Sequence, residues 1–224
     1  GEEHKIIDGA KLQASTVEIA DVMEHYNIMV IDEAQMVADR DRGWAWTKAI
    51  LGINADKIHI CAAPYAKDII IHTIEECGDD YEIVEHQRQT PLRMDEYKFT
   101  LKASSIKKGD ALIVFSRRAV HAIARKLQDM GMSCSVIYGN LPYDVRQEEA
   151  RRFRDGETDV VVSTDAIGMG MNLPIKRVVF LETAKYDGYS TRPLKTEELT
   201  QIAGRAGRRG LYEEGNWTVL GDKA

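Results

Sequence analysis

Cysteine is scarce in this 224-residue sequence, and Cys61, Cys77 and Cys134 form neither a Cys-x-x-Cys pair nor part of a histidine-rich cluster. Small reduced core residues in a reducing compartment are the expectation. No apolar run approaches the ~20 residues that span a bilayer, and no charged start with a short apolar core marks export. Neither a membrane partner nor secretion is therefore expected. A basic excess is missing too: 30 Lys and Arg against 36 Asp and Glu leave a net charge of −6. Contact with a polyanion must then be local rather than a property of the whole surface. Internal repeats and low-complexity tracts are absent. His59, His72 and His86 stand singly, without metal-ligand spacing, and read as structural.

What is present is an ordinary globular composition, 44% hydrophobic and 29% charged, in a chain long enough for one large or two small cores. Ser15 and Glu18 suggest a capping box for a first helix. Ile28–Ile31 is a short continuous apolar run, as expected of a strand buried on both faces of a parallel sheet. A helix over Trp44–Leu51, a strand over Lys57–Cys61, a helix through Ile69–Ile74 and a strand at Glu82–Glu85 follow. Apolar density then drops between Thr90 and Gly109, which suggests a domain boundary, set at 95/96. A second series comes after it: strand Ala111–Phe115, helix Ala119–Met130, strand Ser135–Tyr138, helix Tyr143–Phe153, strands Asp159–Val162 and Arg177–Leu181, a helix, and a strand over Trp217–Leu220. The expectation is α/β architecture in two successive units, 1–95 and 96–224.

Three stretches carry chemistry. Asp32-Glu33-Ala34-Gln35 ends its apolar strand where ligands bind in open α/β sheets. An aspartate there suits a magnesium ion bridging nucleotide phosphates, and a neighbouring carboxylate suits the attacking water. Ser163 to Pro174 follows another buried strand and offers hydroxyls and bare backbone N–H groups for phosphate or ribose. A tight turn that merely needs glycine would explain Gly168 and Gly170, but not Thr164, Asp165 and Asn172 together. Gln201 to Arg209 is the third. On a helix, Gln201, Gly204 or Arg205, and Arg208 share one face, with arginine forks beside side-chain-free positions, as if for an anion that approaches closely. A solvated basic helix end would need neither the glycines nor the spacing.

In this order the three stretches resemble motifs II, V and VI of superfamily two helicases. The chain further resembles the family of the mitochondrial degradosome RNA helicase. That likeness runs through Val30-Ile31-Asp32-Glu33-Ala34-Gln35-Met36, Arg42-Gly43-Trp44-Ala45-Trp46-Thr47, Val136-Ile137-Tyr138-Gly139 and Thr164-Asp165-Ala166-Ile167-Gly168-Met169-Gly170. It implies two RecA-like parallel-sheet domains of the P-loop NTPase type, the first truncated at its N-terminal side. It implies ATP and magnesium as cofactors and RNA as substrate, with DNA as an alternative, and an enzyme that unwinds or translocates while it hydrolyses ATP. A ribonuclease partner, RNA degradation, and a bacterial cytoplasm or else a mitochondrial matrix go with the likeness.

The resemblance also distributes roles. Asp32 would serve magnesium, and Glu33 the attacking water. Gln201, Arg205 and Arg208 would act at the γ-phosphate, Arg208 as arginine finger. Gly168 and Asn172 would lie toward the nucleotide. Ser116, Arg117, Tyr138, Gly139 and Thr164 would touch the nucleic-acid backbone, although Tyr138 equally fits a packed strand-end aromatic. Two departures stand out. Cys61-Ala62-Ala63-Pro64 occupies the place of a hydroxyl-rich third motif, and no Gly-x-x-x-x-Gly-Lys-Ser/Thr loop occurs anywhere in the sequence. The P-loop is expected in a missing upstream segment, with Gly1-Glu2-Glu3 as a nucleic-acid-contacting motif, and these 224 residues alone are expected to be inactive. A non-catalytic RNA-binding scaffold with a helicase-like fold is the reading from another class.

Overall fold

The computed structural model describes residues 9–97, 99–168 and 171–221. Gly1-Glu2-Glu3, and Met169 and Gly170 of the second glycine-bearing stretch, lie outside them. The chain divides into two compact units, Gly1–Glu85 and His86–Ala224.

In the first unit, strands β1 (His25–Ile31) and β2 (Asn54–Ile60) pair in parallel. Helices α1 (Gly43–Gly52) and α2 (Lys67–Cys77) cover one face of the pair. Met29, Ile31, Ile58 and Ile60 point into that layer, where Ala45, Trp46, Ala49, Ile50 and Ile70 complete the core. The expectation of a strand buried on both faces is corrected here: Ile28 and Val30 are 64% and 59% exposed. Successive side chains of a strand point to opposite faces, and among the described residues no helix covers the second one. Ser15 caps nothing; a short 3₁₀ turn, Val17–Ile19, stands in place of the first helix, and Glu18 instead pairs with Arg42 at 2.6 Å. Glu82–Glu85 is irregular rather than a strand. Cys61 and Cys77 are exposed, contrary to their expected place in the core, whereas Cys134 is half-buried and packs against the core of the second unit.

The second unit is built on six parallel strands. In chain order they are β3 (Leu92–Met94), β4 (Asp110–Ile113), β5 (Cys134–Ile137), β6 (Val160–Ser163), β7 (Arg177–Phe180) and, after a small antiparallel hairpin of β8 (Ala184–Tyr186) and β9 (Thr191–Pro193), β10 (Gly215–Val219). Their spatial order is β3-β10-β7-β4-β6-β5. Strands β4, β6 and β7 are buried along their whole length, which is why they read as unbroken apolar runs. Alternate residues feed two cores. Leu112, Val160, Val162 and Val179 meet Val120 and Leu127 of α3 (Arg117–Asp129). Ala111, Ile113, Val161 and Phe180 meet Phe153 of α4 (Tyr143–Arg154) and Ile202 of α5 (Thr196–Ala203). Each fully buried aliphatic side chain here contributes ~1.5–3 kcal/mol.

The boundary expected at 95/96 moves to 85/86. Residues 86–95 belong to the second unit because β3 pairs with β10, and because Asp95 closes a buried ionic cluster. Arg177 donates to both carboxylate oxygens of Asp110, at 3.0 and 2.6 Å, and to Asp95 at 3.0 Å. Asn216 donates to the other Asp95 oxygen at 3.1 Å. Among the described residues, no helix is long and apolar enough to cross a membrane.

Candidate nucleotide and nucleic-acid site

Asp32 emerges exposed at the carboxyl end of β1. Its Oδ1 accepts the Glu33 N–H at 2.8 Å, and the Trp46 indole donates to its backbone carbonyl at 3.0 Å. Glu33 has φ 53° and ψ 36°, a left-handed conformation that costs a non-glycine residue ~1–2 kcal/mol. It is the one non-glycine residue at positive φ among those described. Such strain persists where the surroundings dictate it and concentrates at working sites. The Glu33 carboxylate is engaged by Gln35, whose Nε2 donates to Glu33 Oε2 and whose Oε1 accepts the Ala63 N–H at 3.1 Å. The stretch Cys61 to Pro64 lacks hydroxyls, yet it is tied to the acidic motif through a backbone amide instead. No signal in the sequence announces that bond.

The remaining predicted residues lie on the second unit. Gln201 sits on α5, half-buried, but the helix ends at Ala203 and the expected continuous helical face is corrected. Arg205 and Arg208 stand on the turns that follow. Gly204 and Gly207 therefore do not thin a helix for an incoming anion. Gly207 has φ +71°, and a Cβ there would fall 2.4 Å from Cα of Gly215. The glycine serves the approach of the turn to the start of β10. Arg205 reaches across and donates to the Gly168 carbonyl. A Cβ on Gly168 would lie 3.8 Å from Gln201 Cγ, so Gly168, Gln201 and Arg205 form one cluster. Arg208 is half-buried; its carbonyl accepts the Leu211 and Tyr212 N–H groups, both at 3.1 Å, while its guanidinium has no hydrogen-bonding or ionic partner among the described residues. Asn172 is exposed nearby in sequence but outside this cluster of contacts.

Among the residues expected to touch nucleic acid, Ser116 is exposed and caps α3, its Oγ accepting the Ala119 N–H at 3.1 Å. The Arg117 guanidinium lies 5.5 Å from the centre of the Tyr138 ring. Tyr138 itself is 8% exposed and packs edge-on against His121, within the core below α3. The packed-aromatic alternative describes its position. Gly139 is exposed on the turn after β5, and Arg146 donates to its carbonyl at 2.6 Å. Thr164 is buried, its hydroxyl accepting the Ala166 N–H at 3.3 Å.

An ionic network that sequence reasoning missed supports this region. Lys185 on β8 pairs with Asp165 at 3.2 Å and with Glu198 of α5 at 2.7 Å. Arg192 on β9 grips both Glu198 oxygens at 2.8 Å. The Arg192 fork, opposed by burial and aided by Lys185 and the Lys195 N–H, holds the Glu198 carboxyl far below the usual carboxylate range. A carboxyl whose value is lower folded than unfolded stabilises the fold fully above its unfolded value, ~4.3, and loses that contribution as pH falls toward the folded value. Urea midpoints of the chain should accordingly fall more steeply with acid below about pH 4.5 than those of Glu198→Gln. Parallel pH profiles would remove this role for Glu198.

Residues 1–86 match the family model described as the DEXQ-box helicase domain of Suv3, and residues 95–210 match the helicase conserved C-terminal domain. The chain is 44% identical over 211 residues to the mitochondrial DExH-box ATP-dependent RNA helicase DExH16 of Arabidopsis thaliana, covering 93% of this chain and 37% of that protein. It is 40% identical over 224 residues to the mitochondrial ATP-dependent RNA helicase SUV3L of Oryza sativa subsp. japonica, covering 98% and 30%. The chain thus spans about a third of the length of these relatives. In fold it is similar to the S. cerevisiae Dbp5 structure bound to RNA and ADP BeF3, with a TM-score of 0.61 at 18% identity over 88% of this chain and 54% of that one. The parallel-sheet architecture is RecA-like. With more than half its length matched by one family model, the chain belongs to the helicase conserved C-terminal domain family, preceded by a DEXQ-box helicase domain of the Suv3 type.

Proposed function

We propose that the protein containing this chain is an ATP-dependent RNA helicase, and that these residues supply its water-activating carboxylate, its arginine finger and part of its RNA grip. The observation that carries the reading is the strained Glu33, its carboxylate engaged by Gln35, which also accepts the Ala63 N–H, beside an exposed Asp32. Magnesium fits Asp32: the carboxylate is exposed, one oxygen takes only a backbone N–H, and no cationic side chain pairs with it among the described residues. Magnesium keeps several waters and takes one or two carboxylates besides phosphate oxygens. When bound, it would neutralise charge on the β- and γ-phosphates. Of the groups a triphosphate requires, these residues would supply those at its γ end; no Gly-x-x-x-x-Gly-Lys-Ser/Thr loop occurs among them.

Glu33 would accept the proton of the attacking water, and Gln201 would orient that water or the γ-phosphate. The Arg208 fork would offset charge developing on the phosphate oxygens. Arg205, engaged with Gly168, would link the two glycine-bearing stretches. Phosphates of RNA would meet the exposed N-terminus of α3 at Ser116 and Arg117, the Gly139 turn and the Thr164 turn, so sequence preference should be slight. RNA is favoured over DNA because the relatives are named RNA helicases. The same names favour the mitochondrial matrix over a bacterial cytoplasm; a ribonuclease partner rests on the degradosome resemblance alone.

The test is RNA-stimulated ATP turnover by the full gene product, alongside RNA binding by the 224-residue chain. Turnover stimulated by RNA, and binding that weakens with salt across unrelated sequences, are expected. RNA binding with no turnover in the full product would establish the scaffold reading instead.

A further inference from the structure

Arg88 stands three residues beyond the end of the first unit and belongs to no regular element. Its guanidinium nevertheless makes a dense set of bonds. Nε donates to the Thr90 carbonyl at 2.6 Å, Nη1 to the Gly204 carbonyl at 2.7 Å, and Nη2 to the Ala206 carbonyl. The two distant carbonyls flank Arg205 and lie just past the end of α5, where helix carbonyls run out of N–H partners and carry partial negative charge. Around them the turn is closed by Gly204 N–H to Thr200, Arg205 N–H to Ile202, Ala206 N–H to Ala203, and Gly207 N–H to Ile175. Burial of Arg88 draws its value below that of a free guanidinium, and no carboxylate contributes to its setting. A charged side chain committed wholly to carbonyls is a device for fixing backbone, since each charge-assisted bond is roughly twice as strong as a neutral one.

We propose that Arg88 is a positioning residue for the hydrolysis chemistry: by clamping the backbone on both sides of Arg205, it sets where the Arg205 and Arg208 forks point. This rests on the reading of Arg208 as the finger. It adds that the geometry of the finger is set from the start of the second unit, through a side chain 116 residues from Gly204 in sequence. The anchoring does not depend on Arg88 alone, because the Pro91 carbonyl accepts the Gly215 N–H at 2.8 Å and β3 pairs with β10 directly after it. Loss of the clamp should therefore loosen the turn without dissolving the sheet.

The experiment compares wild type, Arg88→Ala, Arg88→Lys and Arg208→Ala in the full gene product. Arg88→Ala is expected to lower kcat for ATP by ~10²-fold, the scale of a 1 Å misplacement, with KM for ATP and RNA affinity nearly unchanged. Arg88→Lys, a point charge that cannot span three carbonyls as a planar fork, should recover only part of the loss. In the Arg208→Ala background, Arg88→Ala should cost little more, since both act on one function. Amide exchange of residues 204–207 in the 224-residue chain should quicken while β4, β6 and β7 stay protected. Undiminished kcat in a folded Arg88 variant, a loss that multiplies independently with that of Arg208, or unchanged exchange would overturn the proposal. If Arg88→Ala fails to fold, Arg88→Lys decides by the same measurements. A wild type with no RNA-stimulated turnover would instead refute the function on which the proposal rests.

Discussion

Glu33→Gln in the full gene product is expected to lower RNA-stimulated ATP turnover by ~10²–10⁴-fold, the ordinary worth of a general base. Nucleotide and RNA affinities should barely change. The substitution keeps the shape of the side chain, and a glutamine oxygen can still accept from Gln35 Nε2, so the link to Ala63 survives. Only the capacity to take a proton is removed. Gln35→Ala should separate positioning from chemistry: the carboxylate remains, but the two Gln35 bonds, to it and from Ala63, are gone. Single-turnover kinetics at saturating ATP would distinguish the two. Glu33→Gln turnover equal to that of wild type would refute the role of Glu33.

Gly207→Ala is expected to destabilise the second unit by about 2–5 kcal/mol, combining left-handed backbone strain with a clash that nothing flexible can absorb. The added methyl would lie 2.4 Å from both Cα and N of Gly215. Gly210 provides the control. It has φ +82°, but a Cβ there meets nothing within 4 Å. Gly210→Ala therefore reports conformational strain alone, ~1–2 kcal/mol. Urea unfolding of both variants, followed by tryptophan fluorescence at Trp217 on β10, isolates the contact contribution. Equal losses would mean that the close approach to Gly215 does not matter.

The central strands were legible because burial on both faces leaves no polar alternation: Asp110–Ile113, Val160–Ser163 and Arg177–Phe180 are buried throughout. The same feature misled at Ile28–Ile31, where four apolar residues in a row hide which face is covered. Strand β3 and the β8–β9 hairpin escaped notice because each strand has three residues and carries charge. They persist through pairing and, in the hairpin, through Glu198 and its two cations. Regular arginine spacing suggested a helix through Arg209, but spacing cannot reveal that Arg88 takes the carbonyls at its end. Asp32 and Glu33 were readable as strand-end acids. Their support by Gln35 and Ala63, like the Lys185 and Arg88 contacts, joins residues distant in sequence and leaves no local pattern.

The family model over residues 95–210 stops five residues before β10 begins. Yet β10 lies between β3 and β7, and Gly215 fills the space against which Gly207 is moulded. The portion recognisable by descent is thus smaller than the portion that must fold together. A chain cut after Gly210 would keep every recognisable motif and lose an interior strand, so its arginines would be present in composition but not in place. Insertions acquired after β10 leave that arrangement intact, whereas a recombination breakpoint between Gly210 and Gly215 would have to bring with it a strand that fits the same gap.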